Sequence, residues 1–317
     1  MSPLSDKRVL VTGGAGFIGS HLARRLAPDA DVVVLDSLES GDPDAVPADA
    51  TVIEADVRDA DALEEAMGGV DVVFHQAALV SVAASVADPT ASHATNVDGT
   101  IAVLEAARDA DARVVLASSA AIYGDPETVP IPESAPKQPQ SPYGLEKLAV
   151  DHYARLYHEL YGLETVALRY FNVYGPGQQG GDYSGVIDVF LEQARRNEPI
   201  TVHGAGTQTR DFVHVDDVVE ANCLAATTDR VGEAYNVATG DAVSVRELAE
   251  LIRKVTGSDS EIVHTDPREG DVERSRADLS NVRERLGYEP SISLEKGLDE
   301  LASSRDAAVV DHADGSD

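Results

Sequence analysis

The stretch VLVTGGAGFIGSHLARRL (9–26) decides how this chain is read. A short apolar run gives way to glycines and then to an amphipathic helical pattern. Gly14, Gly16 and Gly19 spell G-x-G-x-x-G, and Gly13 adds G-x-x-G-x-x-G in the same turn. Glycines between a strand and a helix permit a tight turn, and they let a pyrophosphate approach the N-terminus of the helix. A turn that merely packs helix on strand is the plain alternative. The position of the motif, after a strand and before an amphipathic helix, argues against it.

Working outward, Asp36 ends the second strand-like run, DVVVLD (31–36). A carboxylate there can bind the adenosine ribose hydroxyls and would repel a 2′-phosphate. The following SLESG (37–41) has no Arg or Lys to hold such a phosphate, so NAD is expected rather than NADP. Asp56 and Val57, closing the third run, suit contact with the adenine. Further strands are predicted at 112–119 and 164–172, with shorter ones at 51–56 and 71–78. Helices are predicted at 17–27, 59–67, 88–109 and 141–161. Alternation of this kind implies a doubly wound parallel sheet, an α/β fold whose strands are covered on both faces.

Beyond Asn172 the pattern becomes shorter and more irregular, with helices expected at 186–196, 215–227, 244–255, 278–286 and 294–303. The expected organisation is a dinucleotide-binding domain over 1–172, with part of 205–240 returning to it, and a smaller α/β domain over 173–303. The acidic stretch 304–317 reads as a disordered tail.

The formal charge of -31 over 317 residues argues against a nucleic-acid partner, whose backbone would be repelled. An acidic partner surface is one reading of this charge; acidic residues spread along the whole chain, with lysine only at 7, 137, 147, 254 and 296, favour the other, adaptation to high salt. Cys223 is the single cysteine, so neither an internal disulfide nor a cysteine metal cluster is available, and no metal is expected. No run of about 18 apolar residues suggests a membrane span. The N-terminus enters a strand with no room for a signal peptide, so a cytoplasmic protein is expected.

SPYGLEK (141–147) places Tyr143 and Lys147 four residues apart on one helix face. An ammonium beside a phenol favours its anion, so Tyr143 is expected to act as a general base with Lys147 in support. Ser118 and Ser119 end the fifth strand, on the sheet edge where ligands of open α/β sheets bind. Ser119 is placed to hydrogen-bond the reacting oxygen. A surface Tyr-x-x-x-Lys is common by chance, and a polar strand end is the default for a serine. The turn, the serine and the pair converge in this order, and coincidence is the weaker reading.

With these motifs in hand, the chain resembles the extended short-chain dehydrogenase/reductases, and among them the NAD-dependent nucleotide-sugar 4-epimerases. The matching motifs are VTGGAGFIGSHL, HQAALVSVAASV, NVDGT, SSAAIYGD, SPYGLEK, LRYFNVYGP, RDFVHVDDV and REGDV, spread over roughly residues 8–300. The resemblance implies a Rossmann NAD domain, a smaller UDP-sugar domain and a homodimer through a helix bundle. It places NAD against Gly13, Gly16, Phe17, Ile18, Gly19, Asp36, Asp56, Val57, Ala77, Ala78, Asn96, Tyr143, Lys147 and Tyr170, and makes Ser119, Tyr143 and Lys147 the catalytic trio. Asn172, Arg210, Arg268 and Asp271 match UDP-binding positions, and Val186, Thr201 and His203 fall around the uracil. Ser275 aligns with a position near the sugar C2 substituent, where a small residue leaves space for an N-acetyl group.

Related 4,6-dehydratases carry an acidic pair where this chain has Ala120 and Ala121, and related decarboxylases carry a glutamate at the position of Ala121. Epimerisation needs none, because the 4-keto sugar only turns and takes its hydride back. UDP-glucose/galactose and UDP-N-acetylglucosamine/galactosamine both remain as substrates. The alternatives are a dehydratase, a net oxidoreductase, or an NAD-binding scaffold without catalysis.

Overall fold

The computed structural model describes residues 3–178, 185–268, 270 and 272–313, with side chains as far as Ser303. In the first half, strands β1 (Arg8–Thr12), β2 (Asp31–Asp36), β3 (Thr51–Glu54), β4 (Val72–His75), β5 (Arg113–Ser119) and β6 (Thr165–Tyr170) alternate with helices. The helices are α1 (Phe17–Leu26), α2 (Ala60–Met67), α3 (Val82–Ala87), α4 (Pro89–His93), α5 (Gly99–Ala110) and α6 (Pro142–Tyr161). The second half adds β7 (Asn172–Tyr174), α7 (Val186–Arg195), β8 (Ile200–His203), β9 (Thr209–His214), α8 (Val215–Thr227), β10 (Glu233–Val237), β11 (Ala242–Ser244), α9 (Val245–Thr256), β12 (Ile262–Thr265), α10 (Ser280–Leu286) and α11 (Leu294–Ala313).

Local chemistry explains the ends of several elements. Ser141 caps α6 by accepting from the Gly144 amide, with Pro142 at the first helical position, and Gly162 closes the helix in the left-handed region. Asp59 caps α2, and Ser244 with Glu247 forms a capping box on α9.

The main sheet has seven parallel strands in the order β10-β6-β5-β4-β1-β2-β3. Its central strands are buried on both faces, so two apolar clusters form, one on each side, while the edge strand β3 is largely exposed. The winding reverses between β1 and β4, which opens a crevice at their carboxyl ends. A three-stranded sheet (β11-β9-β7) and a parallel pair (β12-β8) make a smaller lobe around Tyr174, Phe190, Leu191, Leu248 and Leu298.

Three local outcomes differ from the sequence expectation. The helix expected over 88–109 is broken into α4, a π-helical turn (Ala94–Asp98) and α5. The runs at 51–56 and 71–78 pair as strands over shorter spans, their last residues turning into the crevice loops. The final helix continues to Ala313, into the stretch expected to be disordered, while 314–317 lie outside the described residues.

Candidate functional site

After β1 the chain turns at Gly13 with φ +68°, and a Cβ there would lie 2.6 Å from the Ala77 nitrogen. A Cβ on Gly19 would overlap the Gly13 carbonyl oxygen. Side chains are excluded from this cradle by contact. Gly16 is the N-cap of α1 and supplies no side chain to its first-turn amides, the arrangement that receives an anion. Phe17 packs edge-on against His21, and Ile18 leans on the apolar cluster, so both carry α1 as well as facing the turn.

Asp36 lies against the same turn. One carboxylate oxygen accepts from the Ala15 amide at 2.9 Å and the other from Leu38 at 2.9 Å. Asp56 is held bidentately by Arg58, whose bond is the largest influence keeping its carboxyl below the ordinary value. Arg58 stands at this edge although SLESG contains no cation, and Asp56 engages it. Val57 is buried against Gly99. Ala77 and Ala78 form the loop after β4, directly over the turn.

The opposite wall is β5 and α6. Ser119 ends β5, and its hydroxyl accepts from the Ala121 amide at 3.1 Å. The Tyr143 amide donates to the Ser85 hydroxyl at 3.1 Å, fixing the first turn of α6. Lys147 is buried, donates from Nζ to the Ala117 carbonyl at 2.9 Å, and stands 5.9 Å from the centre of the Tyr143 ring. Ser119, Tyr143 and Lys147 thus meet at the carboxyl edge of the sheet.

Their electrostatics depart from the expectation that Lys147 lowers Tyr143. Burial pushes the Tyr143 hydroxyl up, a hydrogen bond with Ser119 pulls it back, and Glu146 pushes it further up. In the protein alone, desolvation is the largest influence on Tyr143. Burial also brings Lys147 down to about 8, against the opposing charge of Glu146.

Other polar residues of the crevice are spoken for. His75 is buried between the Thr12 and Thr100 hydroxyls, and burial, with the charge of Lys147, drives it down to about 3, so it stays neutral. Asn96, in the π-turn, clasps the Leu79 backbone through Oδ1 (2.8 Å) and Nδ2 (3.0 Å). The Tyr170 hydroxyl is taken up by Gln76 and Asn222. Ser118 is buried, and its hydroxyl has no partner among the described residues.

In the smaller lobe, Asn172 donates to the Asp211 carbonyl at 3.0 Å. Beside it on β9, the Arg210 guanidinium reaches the Thr209 carbonyl at 2.8 Å. The Thr209 backbone brackets the 273–275 segment, accepting from the Ser275 amide at 3.1 Å. Asn172, Arg210 and Ser275 are therefore gathered along one strand. Thr201 bonds to Gln193 of α7, the helix that Val186 begins, and His203 bonds to Thr265 and the Asp266 carbonyl. Arg268 is exposed just past β12, and Asp271 lies outside the described residues.

The sequence profile described as the NAD dependent epimerase/dehydratase family matches residues 9–238. The chain belongs to that family. Among its relatives, the UDP-glucose 4-epimerase of Mycolicibacterium smegmatis is 38% identical over 300 residues, 92% of this chain and 96% of the relative. The solved UDP-glucose 4-epimerase of Thermotoga maritima, with UDP-glucose, superposes with a TM-score of 0.92 at 38% identity, covering 95% of this chain and 99% of that one. The UDP-N-acetylglucosamine 4-epimerase of Methanobrevibacter ruminantium M1, in complex with UDP-N-acetylmuramic acid, also gives 0.92 at 37% identity, covering 96% and 99%. The residues present fit the cofactor of this family: a cradle that admits no Cβ at Gly13 or Gly19, an uncapped helix N-terminus, and an acid at the end of β2 with the nearby arginine engaged.

Two groups around α6 were not legible from the residue pattern. Asp151 is fully buried and held by Arg169 on β6, which also donates to Tyr123. Glu146 is buried between the two candidate catalytic residues. An acidic residue on the buried side of a helix is the available signal, but periodicity is weak here because α6 buries a broad face.

Proposed function

We propose that this protein is an NAD-dependent 4-epimerase of UDP-hexoses. The observation that carries the reading is the convergence of Ser119, Tyr143 and Lys147 at the edge where the Gly-rich cradle opens, in a member of this family without carboxylates at Ala120 and Ala121. NAD held in this cradle would supply reversible hydride transfer at the sugar C4. Tyr143 takes the C4 hydroxyl proton and gives it back on the opposite face, and Ser119 holds the sugar oxygen. Lys147, oriented by the Ala117 carbonyl, supplies the positive charge that burial alone denies to a tyrosinate. Gly13, Gly16, Phe17, Ile18, Gly19, Asp36, Asp56, Val57, Ala77 and Ala78 hold the cofactor. Asn96 and Tyr170 shape its site from behind, because their side chains are bonded within the protein.

Arg210 and Arg268 neutralise the UDP pyrophosphate, as a chain of charge -31 requires for an anionic substrate. Asn172, Val186, Thr201, His203, Asp271 and Ser275 complete the sugar-nucleotide lobe, and the small Ser275 leaves room for an N-acetyl group. The outward face of α6 supports a homodimer: Leu145 and Leu160 are 60% and 64% exposed, with Leu156 on the same stripe. Among the described residues no helix is long and apolar enough to cross a membrane. That feature and the dispersed acidity support a cytoplasmic, salt-adapted enzyme.

Proton NMR of the anomeric region, with NAD added, tests the reading on UDP-galactose and UDP-N-acetylgalactosamine separately. The gluco epimer should form with no net NADH. A 4-keto-6-deoxy product or a lasting rise in NADH would reassign the chemistry, and full turnover by Tyr143→Phe would overturn the assignment of the base.

A further inference from the structure

Glu146 lies on α6 between Tyr143 and Lys147 and is 4% exposed. Carboxylates at such depth usually meet a cation. Among the described residues no cation is bonded to this one: its hydrogen-bond partners are the Ser92 hydroxyl and the Asn96 amide, both 2.7 Å from Oε2. The adjacent Lys147 turns away to the Ala117 carbonyl. Asn96 in turn grips the Leu79 backbone. One carboxylate therefore ties together the π-turn, the loop after β4 that covers the Gly-rich turn, and the helix carrying the proton-transfer pair.

An anion at this depth acts through little intervening water. It opposes formation of a tyrosinate at Tyr143 and favours the ammonium at Lys147, so it moves both ionisations to higher pH. The other charges around α6 do not cancel it. His75 of β4 is neutral, and Arg169 of β6 is paired with Asp151, which also holds Arg155 beside His152. Arg113 of β5 is paired with Glu164, and Arg285 with Glu233 beside Tyr235 of β10. On α5, Glu105 meets Arg108 and Tyr157, and Tyr123 is bonded to Asn236. Lys137 lies over the Tyr123 ring, and His93 and Asp98 are exposed. The sequence of α3, VAASVA, has no ionisable group.

We propose that Glu146 is a positioning residue for the epimerisation: an uncompensated buried carboxylate that keeps Lys147 charged near neutrality, sets the working pH of the Tyr143–Lys147 pair, and braces the Leu79 loop through Asn96. The inference rests on the reading of Tyr143 and Lys147 as the proton-transfer pair.

Glu146→Gln removes the charge and keeps an acceptor for Ser92 and Asn96. Two measurements test it. In the first, pH–rate profiles of UDP-galactose epimerisation with saturating NAD should show both limbs displaced acid-ward by about one unit, the scale of one neighbouring buried charge. The variant-to-wild-type rate ratio should then be about tenfold above one on the acid limb and about tenfold below one on the basic limb, a change of about a hundredfold. Glu146→Asp should restore the wild-type profile. In the second, carbon-13 NMR of the lysine Cε groups in the protein alone is tractable with five lysines. Lys147, near 8 in the wild type, should titrate lower in the variant. If Glu146→Gln does not fold, Glu146→Ser carries the same two expectations. A profile that only scales, with an unmoved Lys147 titration, overturns the proposal and leaves Glu146 a structural brace. Full turnover by Tyr143→Phe would instead remove the underlying reading, while the lysine titration would still report on Glu146.

Discussion

Replacing Arg169 with methionine should destabilise this protein more than any surface change, because it strands a fully buried carboxylate. Asp151 is 0% exposed and accepts from Arg169 Nε at 2.8 Å and Nη2 at 3.0 Å, and from Arg155 Nη2 at 2.9 Å. In Arg169→Met only Arg155 remains, on a partly exposed side chain. The Glu133 carbonyl also loses one of its two donors and keeps Lys137. Breaking a buried pair from one side costs about 3–5 kcal/mol. With an m-value of about 3 kcal/mol per molar, the urea midpoint should fall by about 1–1.7 M.

The dependence on pH gives a second check. Burial pushes the Asp151 carboxyl up, but the Arg169 bond and the charges of Arg169 and Arg155 outweigh it, and the folded value lies below the ordinary one. A depressed folded pKa contributes stability that is present above the unfolded value, about 3.9, and is lost as pH falls through the folded value. Without Arg169 the folded value rises, so the variant escapes its penalty by protonating Asp151. The stability gap between wild type and variant should therefore narrow between pH 7 and pH 5. Adding Asp151→Leu to Arg169→Met should recover much of the loss, since an apolar pair leaves no stranded charge. A loss below about 1 kcal/mol, a gap that does not change with pH, or a double variant weaker than the single one would refute the argument.

Two further outcomes are expected. Gly19→Ala forces a methyl group into the Gly13 carbonyl, so NAD affinity measured by calorimetry should fall more than about tenfold; normal binding by a folded variant would count against the cradle. The dispersed charge of -31 should make the unfolding midpoint climb between 0.1 and 2 M KCl, followed by circular dichroism, as screening relieves self-repulsion; a flat response would remove the salt-adapted reading.

What the sequence determined by itself is local and periodic. DVVVLD is β-branched, and its second to sixth residues are buried, so β2 could be read without its neighbours. The turn at 13–19 was legible because glycine is required there by contact at one or two atoms, and such a requirement leaves a spelling. Asp36 was legible by its place at a strand end, and Tyr143 with Lys147 by helical spacing.

Tertiary structure decided what depends on burial and on groups distant in the chain. Whether Tyr143 is raised or lowered turns on desolvation, on the Ser119 hydrogen bond and on Glu146, and desolvation is a property of everything packed around the pair. Arg169 and Asp151 are 18 residues apart, and nothing in either segment announces the other. The π-turn at 94–98 has no residue pattern of its own; it exists where Asn96 meets Glu146 and Leu79. Residues 233–237 became β10 only because β6 offered a free edge for parallel pairing. Spacing along a chain records which side chains share a face, and the field they feel is set by what the fold brings to that face.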